Sequence, residues 1–592
     1  MKGHATKEMI AVLCLIAGLL LSGCGGGGGD PFSSPPFRYD PGLPGQVTGL
    51  QASPGDQVVT LFWNPVYVAE SYDIYYAPAA AGGGPPSSGW TKFNISGGTS
   101  YAVWGLTDNV TYYFMVSAVD RDGEGQASAE VASTPTPPSQ ADLAATWYFH
   151  TLVSGPSAKW ERGTVVIDQS GNATYTDFLD SAHYDPVDDS STSQPLPPGE
   201  TITLQGGGSI TISGTDFQGT MGSRKNMWVG TWTYSVDGSK ALTIFQKQRP
   251  TNDYSVLDVA GTSGQNPNNP NLAGNGPTRF AYHALNSGSD IEWEYSNARV
   301  GAQGQFWSNP PASDFIPDGA NSIKDVIYWD YSTPTYKMAA GYDFMWKVTC
   351  FAMRSDGMLK EYDNFAAVKD ASHNVIFTGR MTDDKTVIVG VSTKNAIPAT
   401  QTSTGAIQTI PDQYYLRILQ LNFIPTDQSL PTYTLNDVSG TYKFHEIGAV
   451  LGGGNVSQAS WAYGTMQITN SGVTTFPQYT DSNSVLSNPA TFTFAYYPDT
   501  GSDGHTWTTF ANFVTPDTGD AASRYYNAGQ PYFSVWTWWN GITNGVQSGA
   551  GVQQVPMSTY YYNEHATLSY ERDLLVMTRT DGFGYSMIIG LK

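Results

Sequence analysis

The sequence is poor in charge and in long apolar runs, and each shortage excludes a class of protein. Charged residues are 14% of the 592 residues, against about 25% in an average soluble domain. Apolar stripes with helical spacing are missing, which argues against a coiled coil or a helical bundle. The 29 Lys and Arg are outnumbered by 51 Asp and Glu, giving a net charge of −22. So acidic a chain is a poor candidate for binding nucleic acid.

Glycine, proline and aromatic residues are abundant instead. The chain has 64 Gly and 36 Pro, and 13% of its residues are aromatic. Glycine and proline divide the sequence into short segments, many of which alternate apolar and polar residues as strands do. We therefore predict an all-β fold with many turns. The sequence contains no enzyme signature, neither a zinc-protease helix, a nucleophile elbow nor a phosphate loop, and this favours a protein without catalytic activity.

The first residues are typical of an export signal. Two lysines precede a short apolar run from Met9 to Leu21, which is too short for a transmembrane helix of about 20 residues. The Leu-Ser-Gly-Cys sequence ending at Cys24 resembles a bacterial lipobox. That resemblance implies a signal peptide at residues 1–23, lipidation of Cys24, and a Gly/Pro/Ser-rich tether at residues 24–45. It also implies a Gram-negative location at the outer membrane or cell surface, with the membrane as a partner. The alternative is an ordinary secretory signal with a chance cysteine.

Cysteine is scarce, with only Cys14, Cys24 and Cys350. Cleavage before Cys24 would remove Cys14, and lipidation would use Cys24. The remaining thiol cannot form an internal disulfide, so the exported fold must depend on its core. The apolar context of Cys350 predicts a buried strand residue rather than a catalytic thiol.

Strand-like runs with sandwich-like spacing follow the tether. Trp63, Tyr75 and the pair Leu106 and Tyr112 lie at positions that resemble a fibronectin type III domain over residues 46–135. The resemblance implies a β-sandwich with a tyrosine corner, in which the Tyr112 phenol bonds to the main chain. The resemblance implies that the domain is a spacer or a carbohydrate-associated module, as bacterial members of this family commonly are, and we expect a spacer that serves as a stalk.

The remainder of the chain, residues 142–592, repeats itself three times. The repeats cover approximately residues 142–250, 258–425 and 437–592. Identities at fixed spacing define them: His150-x-Leu-x-Ser-Gly-x4-Trp160 recurs as His283-x-Leu-x-Ser-Gly-x4-Trp293, and Phe217-x-Gly-x-Met-x3-Lys-x3-Val-Gly230 recurs as Phe377-x-Gly-x-Met-x3-Lys-x3-Val-Gly390.

The first repeat holds about eight short strand-like runs, and two architectures accommodate eight strands per repeat. Two four-stranded blades per repeat would give a six-bladed β-propeller, and one closed sheet per repeat would give three up-and-down, lipocalin-like barrels. Short linkers and a last strand that reaches Lys592 favour the propeller, with three barrels as the alternative.

Three groups of residues are candidates for binding. His150, His283 and His445 occupy equivalent places and could converge as metal ligands, although a recurring packing contact or hydrogen bond is the stronger explanation. The segment from Asp180 to Asp189 could hold a structural calcium ion, or be an acidic loop. We expect no other cofactor.

Aromatic residues concentrate in the last repeat. Exposed rings suit stacking on sugars or on a protein partner, whereas alternation along a strand would bury them in a core. The candidates are Trp536, Trp538, Trp539, Tyr560, Tyr561 and Tyr562.

As a whole, the chain resembles repeat-bearing fibronectin type III lipoproteins of Gram-negative bacteria. We expect a lipid-anchored envelope protein that presents a binding or scaffolding platform to an extracellular protein or polysaccharide. One alternative is a polysaccharide-active enzyme, a glycoside hydrolase or lyase, with a fibronectin type III spacer. Another is a purely structural component of the envelope.

Overall fold

A computed structural model describes most of the first 250 residues and the strands of the later repeats. The described ranges are 42–66, 69–95, 99–185, 190–191, 195–249, 278–287, 293–300, 305–307, 327–330, 335–338, 349–362, 375–394, 397–401, 407–410, 413–422, 435–452, 455–470, 474–482, 492–494, 532–537, 562–581 and 584–592. The predicted signal peptide, Cys24 and nearly all of the tether lie outside them.

The N-terminal part is a β-sandwich. Its strands are β1 (Gln51–Pro54), β2 (Val58–Phe62), β3 (Ser71–Pro78), β4 (Thr91–Ile95), β5 (Ser100–Trp104), β6 (Tyr112–Asp120), β7 (Gly123–Glu124) and β8 (Val131–Ser133). One sheet has the order β1-β2-β5, and the other has the order β4-β3-β6-β7 with β8 paired to β6. The two sheets bury a core that includes Trp63, Tyr72 and Leu106. The main-chain N–H of Thr107 donates to the Tyr112 hydroxyl at 3.1 Å, which confirms the predicted tyrosine corner.

The first repeat forms one antiparallel sheet. After helix α1 (Gln140–Leu143) come β9 (Ala145–Ser154), β10 (Lys159–Ile167), β11 (Ala173–Asp180), β12 (Tyr184–Asp185), β13 (Ser190–Ser191), β14 (Ile202–Leu204), a 3-10 turn (Gly206–Gly208), β15 (Ser209–Ile212), β16 (Gln218–Met221), β17 (Met227–Thr233) and β18 (Lys240–Lys247). Eight strands pair in the order β11-β10-β9-β18-β17-β16-β15-β14, and β12 pairs with β13 separately.

The two edges of this sheet meet, so it curls into a barrel. Asn172 and Thr201 form an antiparallel bridge between the edges. Beside it, the Ala173 N–H donates to the Glu200 carbonyl at 2.8 Å. At one end α1 covers the barrel, where the buried Leu143 joins the interior core. The Leu143 carbonyl accepts a hydrogen bond from the Trp147 indole at 2.9 Å.

The second and third repeats follow the same plan. The second contains β19 (Thr278–Ser287), β20 (Trp293–Val300), β21 (Gln305–Trp307), β22 (Ile327–Asp330), β23 (Thr335–Met338), β24 (Thr349–Met353), β25 (Met358–Tyr362), β26 (Val375–Met381), β27 (Val387–Lys394), β28 (Ile397–Gln401), β29 (Ile407–Ile410) and β30 (Gln413–Asn422). The third contains helix α2 (Leu435–Val438), β31 (Gly440–Gly452), β32 (Asn455–Ile468), β33 (Thr474–Asp481), β34 (Phe492–Phe494), β35 (Tyr532–Thr537), β36 (Tyr562–Leu568), β37 (Leu574–Asp581) and β38 (Gly584–Leu591).

These strands correct the propeller prediction. The second repeat is a closed eight-stranded barrel. The third is an eight-stranded sheet in the order β34-β33-β32-β31-β38-β37-β36-β35, whose edge strands β34 and β35 do not pair with each other within the described ranges. Because it shares the strand order of the other two repeats, we call this sheet the third barrel. In every repeat the first strand pairs with both the second and the last, as β9 does with β10 and β18. A repeat of two blades would divide these strands into two sheets. The all-β prediction is confirmed, and the barrel alternative describes the repeats better than six blades.

The three barrels pack against one another through their outer faces. One buried cluster takes apolar side chains from equivalent positions of all three: Val229, Val389 and Val576; Ile244, Ile418 and Ile589; Leu242, Leu416 and Met587. Because strand residues alternate between the two faces, the last strands supply one face to a barrel interior and the other to this shared core. Both faces of these last strands are therefore buried, and their sequences lack the apolar–polar alternation that is typical of half-exposed strands.

The sandwich, which the sequence predicts to be a stalk, is docked directly on the barrels. The turns between β16 and β17, β26 and β27, and β36 and β37 are equivalent, and each holds one residue with positive φ: Lys225, Lys385 and Arg572. Glu571 of the third turn accepts hydrogen bonds from the Ser100 hydroxyl at 2.9 Å and the Ala102 N–H at 2.7 Å. Arg224 of the first turn donates to the Thr60 hydroxyl at 3.1 Å.

Within the described ranges, no helix has the length and apolar character needed to cross a membrane.

Candidate functional site

The first barrel contains a cavity of about 210 Å³. The turn before β17 contacts the docked sandwich, whereas Trp232 and Tyr234 lie at the other end of this strand. Both residues line the cavity, so the cavity lies toward the end of the barrel away from the sandwich. The lining residues are Phe149, Thr151, Glu161, Tyr175, Phe178, Pro197, Glu200, Ile212, Thr215, Phe217, Trp232, Tyr234, Thr243 and Phe245. Half of these fourteen side chains are aromatic, and two are carboxylates.

Packing of the aromatic rings explains why the cavity keeps its shape. Phe149 makes edge contacts with Tyr175 at 5.8 Å between centroids, and Phe217 does the same with Phe245 at 6.4 Å. Phe217 lies directly over two glycines: a Cβ at Gly219 or Gly230 would come within 2.6 Å or 2.0 Å of its ring. The repeated Phe-x-Gly and Val-Gly motifs are therefore needed for this ring to lie against the sheet.

One carboxylate of the cavity is already paired with a cation. The Glu161 carboxylate lies 2.8 Å from the Lys159 ammonium, and its side chain is 9% exposed. The same ammonium lies 5.0 Å from the centroid of the Tyr234 ring. The Tyr234 hydroxyl is buried without a hydrogen-bond partner in the part of the chain that the structure describes. Burial, and then the negative charge of Glu161, raise the pKa of Tyr234.

The other carboxylate has a neutral partner. The Tyr175 hydroxyl donates to Glu200 at 3.3 Å. Burial raises the pKa of Glu200, an effect that the hydrogen bond from Tyr175 opposes. Among the described residues, no lysine, arginine or histidine forms an ion pair with Glu200. The cavity thus combines aromatic rings with a half-buried carboxylate that has no counter-ion within the described ranges.

The three predicted histidines are buried where neighbouring barrels meet. His283 of the second barrel bonds to Thr567 at 2.8 Å and Thr578 at 3.2 Å, both in the third barrel. His445 of the third bonds to Thr220 at 3.1 Å and Thr231 at 3.5 Å in the first. The histidine of the second barrel thus bonds to the third barrel, and that of the third bonds to the first. The same contact between neighbouring barrels explains why histidine recurs at this position.

His150 differs from its two equivalents. Its Nδ1 atom is buried and has no hydrogen-bond partner among the described residues. The positions equivalent to Thr220 and Thr231 in the second repeat are Arg380 and Val391. Burial, followed by the charges of Arg162 and Arg380, holds the pKa of His150 well below its usual value. Burial likewise lowers the pKa of His445 to about 3.

The described residues contain no group of three or more His, Cys, Asp or Glu placed to hold a metal ion. In the candidate calcium loop, Asp180 accepts the N–H groups of Ala182 at 3.1 Å and His183 at 3.0 Å, as a turn-capping residue does. Residues 186–189 of that loop lie outside the described ranges.

The remaining candidates are only partly described. Trp536 lies on β35 and Tyr562 on the adjacent strand β36. Trp536 pairs with Asn563, and Tyr562 pairs with Thr537. The other four candidate aromatic residues, Trp538, Trp539, Tyr560 and Tyr561, fall outside the described ranges, as does Cys24. Cys350 lies on β24, as predicted for a strand residue.

Sequence reasoning missed the cavity. Its carboxylates come from β10 and from the segment before β14, and neither belongs to a recognisable motif. The only available signals were the recurring Phe-x-Gly and Val-Gly positions, which mark the aromatic wall but not its polar groups.

A comparison with known protein families identifies the sandwich. The family described as "Fibronectin type III domain" matches residues 44–134. Residues 44–134 form a fibronectin type III domain. Its solved relatives include the FN5 domain of Drosophila Lar, which is 23% identical, with 16% of this chain and 100% of that chain covered and a TM-score of 0.15.

Two solved structures cover more of the chain than the fibronectin type III domain does, and one further sequence match is short. A structure of transferrin-binding protein B from Haemophilus parasuis is 8% identical, with 88% of this chain and 95% of that chain covered and a TM-score of 0.19. A protein of unknown function from Nostoc punctiforme is 7% identical, with coverages of 54% and 96% and a TM-score of 0.19. A Kelch domain-containing protein of Saccharolobus solfataricus is 37% identical over 100 residues, which is 17% of this chain. The match spans about 12% of that relative's length.

Proposed function

We propose that this chain is a binding protein of the bacterial cell envelope whose first barrel takes a compact, partly aromatic ligand. The observation that carries the proposal is the cavity itself. Ligand sites are typically concave, lined by apolar and aromatic side chains, and equipped with a few polar groups that orient the ligand. The cavity of the first barrel has this composition, and its volume of about 210 Å³ limits it to a small molecule.

The packed barrels support such a role by keeping the site rigid. The outer faces of β17 and β18 are held in the core shared by all three barrels, while their inner faces line the cavity. Rigid lining residues lose little entropy when a ligand binds. The docked fibronectin type III domain contacts the end of the first barrel that is away from the cavity. These contacts therefore do not cover Trp232 and Tyr234.

Envelope location is part of the proposal and is supported by the Leu-Ser-Gly-Cys sequence ending at Cys24. Lipid on Cys24 would place the barrels at the outer membrane or cell surface, where small molecules, proteins and polysaccharides are available as ligands.

Ligand-observed NMR tests the cavity directly. We expect saturation transfer from the full chain to benzyl alcohol or benzylamine, and loss of transfer in Thr243→Phe, because the added ring fills the cavity. Thr174→Phe is the matched control, since Thr174 is exposed on the same barrel. Pro197→Trp, at the half-buried edge of the lining, is a second blocking variant if Thr243→Phe does not fold. Equal transfer in wild type and both blocking variants would refute the cavity as the site.

A second candidate function is recognition of an extracellular polysaccharide or protein by the aromatic residues of the third repeat. The concentration of aromatic residues in the sequence of this repeat, at Trp536, Trp538, Trp539 and residues 560–562, is what supports it. Glycan-array binding by wild type and by Trp536→Ala/Tyr562→Ala tests this function. A parallel hydrolysis screen tests the enzymatic alternative, and turnover of any polymer would favour an enzyme.

A further inference from the structure

The arrangement of charge in the cavity of the first barrel bears on the chemistry of its ligand. Glu161 and Glu200 both line the cavity. Of these two carboxylates, only Glu161 has a cation beside it among the described residues, the Lys159 ammonium at 2.8 Å. Glu200 is half-buried, and in the described part of the chain its side chain bonds only to the neutral Tyr175 hydroxyl. A half-buried carboxylate without a counter-ion is unfavourable, so a cation bound beside Glu200 would stabilise its charged form.

The aromatic rings that line the cavity with Glu200 also suit a cation. Tyr175 and Phe149 meet edge to face at 5.8 Å, and Phe178 lies 6.1 Å from Phe149. Aromatic faces attract cations through their quadrupole, most strongly where water is excluded. The protein itself uses this combination nearby, since Lys159 is paired with Glu161 and lies 5.0 Å from the Tyr234 ring.

We propose that the ligand of the first barrel is a small organic cation, an amine or ammonium compound with a flat apolar part, whose charge is bound by Glu200 and the surrounding rings. This inference rests on the proposed function, because it names the ligand class of the same cavity. Neutral sugars and aromatic alcohols could enter the cavity, but they would leave Glu200 without a counter-ion.

Benzylamine and benzyl alcohol form a matched pair of probes. They have the same shape, and both can donate a hydrogen bond to Glu200. An alkyl amine is protonated at neutral pH, as the lysine side chain is. Titration calorimetry at pH 7.5 with the full chain in detergent should give a Kd about tenfold lower for benzylamine than for benzyl alcohol, because hydrogen bonds to charged groups are stronger.

Two variants assign the preference to Glu200. Glu200→Gln keeps an oxygen that accepts from Tyr175 but removes the charge, and it should bring the two affinities within about twofold. Asp177→Asn is the control, because it removes one negative charge from an exposed position of the same barrel. It should leave the tenfold preference unchanged.

The outcomes separate this inference from the proposed function. Equal wild-type affinities for the two probes would overturn the inference and leave the cavity as a binding site, and this comparison does not depend on the folding of any variant. A preference that persists in a folded Glu200→Gln variant would also overturn it. Failure of the wild type to bind either probe would overturn both the inference and the proposed function.

Discussion

Arg224 and Asp384 form a buried ion pair, with 2.6 Å between Nη1 of the guanidinium and Oδ2 of the carboxylate. They occupy the same position of the equivalent turns in the first and second repeats. The guanidinium also contacts Asp573 of the third repeat at 3.2 Å and the Thr60 hydroxyl of the fibronectin type III domain at 3.1 Å. One side chain therefore links all three barrels to the docked domain.

We expect Arg224→Met to destabilise the protein by about 3–5 kcal/mol, because it leaves buried carboxylates without a counter-ion. The double variant Arg224→Met/Asp384→Leu should recover a large part of that loss, since an apolar pair of similar volume replaces the ion pair. Urea unfolding measures both. The control Arg121→Met, whose side chain is 40% exposed, should change stability by no more than about 0.5 kcal/mol. A loss for Arg224→Met no larger than that of the control would contradict the assigned role.

Glu571 should make the docked domain sensitive to pH. Burial, opposed by the charge of Arg224, raises the pKa of Glu571 from 4.5 to about 7. A carboxyl group with a raised pKa binds its proton more tightly in the folded state. Its contribution therefore favours folding at acidic pH and is lost as the pH rises through about 7.

Replacement by glutamine isolates this contribution. The stability of Glu571→Gln relative to wild type should increase by up to about 3 kcal/mol between pH 4.5 and pH 8, because the variant has no group to deprotonate. Urea unfolding of both proteins at several pH values measures the difference. Parallel stability curves across this range would show that Glu571 does not titrate there.

Much of the fold was predictable because it depends on local patterns. Alternation predicted β2, β3 and β6, and the spacing from Leu106 to Tyr112 predicted the tyrosine corner. Identities at fixed spacing aligned Lys225 with Lys385, and the structure gives both the same positive φ.

What could not be predicted depends on contacts between distant residues. Pairing of β9 with β18 decides between a barrel and two blades, and it joins strands about ninety residues apart that any alternating pattern would satisfy equally. The cavity carboxylates could not be recognised from the sequence, because only the fold brings Glu200 beside Tyr175. Docking of the fibronectin type III domain depends on Arg224 and Glu571, which lie in turns that resemble ordinary polar hairpins.

Val391→Thr should stabilise the contact between the first and second barrels. Its equivalents Thr231 and Thr578 bond to histidines of neighbouring barrels, whereas the buried His150 Nδ1 has no partner among the described residues. A hydroxyl at position 391 should satisfy that atom and contribute about 1 kcal/mol. The midpoint of thermal unfolding should rise, and Val391→Ala, which adds no hydroxyl, should lower it. A midpoint that falls equally in both variants would refute the equivalence.

Cys24→Ser should release the protein from the membrane, because the proposed lipid is attached to the Cys24 thiol. Labelling with an alkyne fatty acid, followed by membrane fractionation, measures this effect. Cys350→Ser is the matched control and should keep both label and membrane association. Unchanged labelling of the Cys24→Ser variant would refute the anchor.

The central claim is that the first barrel is a ligand site, and a crystal structure of the chain grown with saturating benzylamine tests it most directly. The predicted result is the ring of benzylamine among the aromatic side chains of the cavity, with its nitrogen within hydrogen-bond distance of Glu200. A structure in which the amine lies elsewhere, or in which side chains fill the cavity, would contradict the claim.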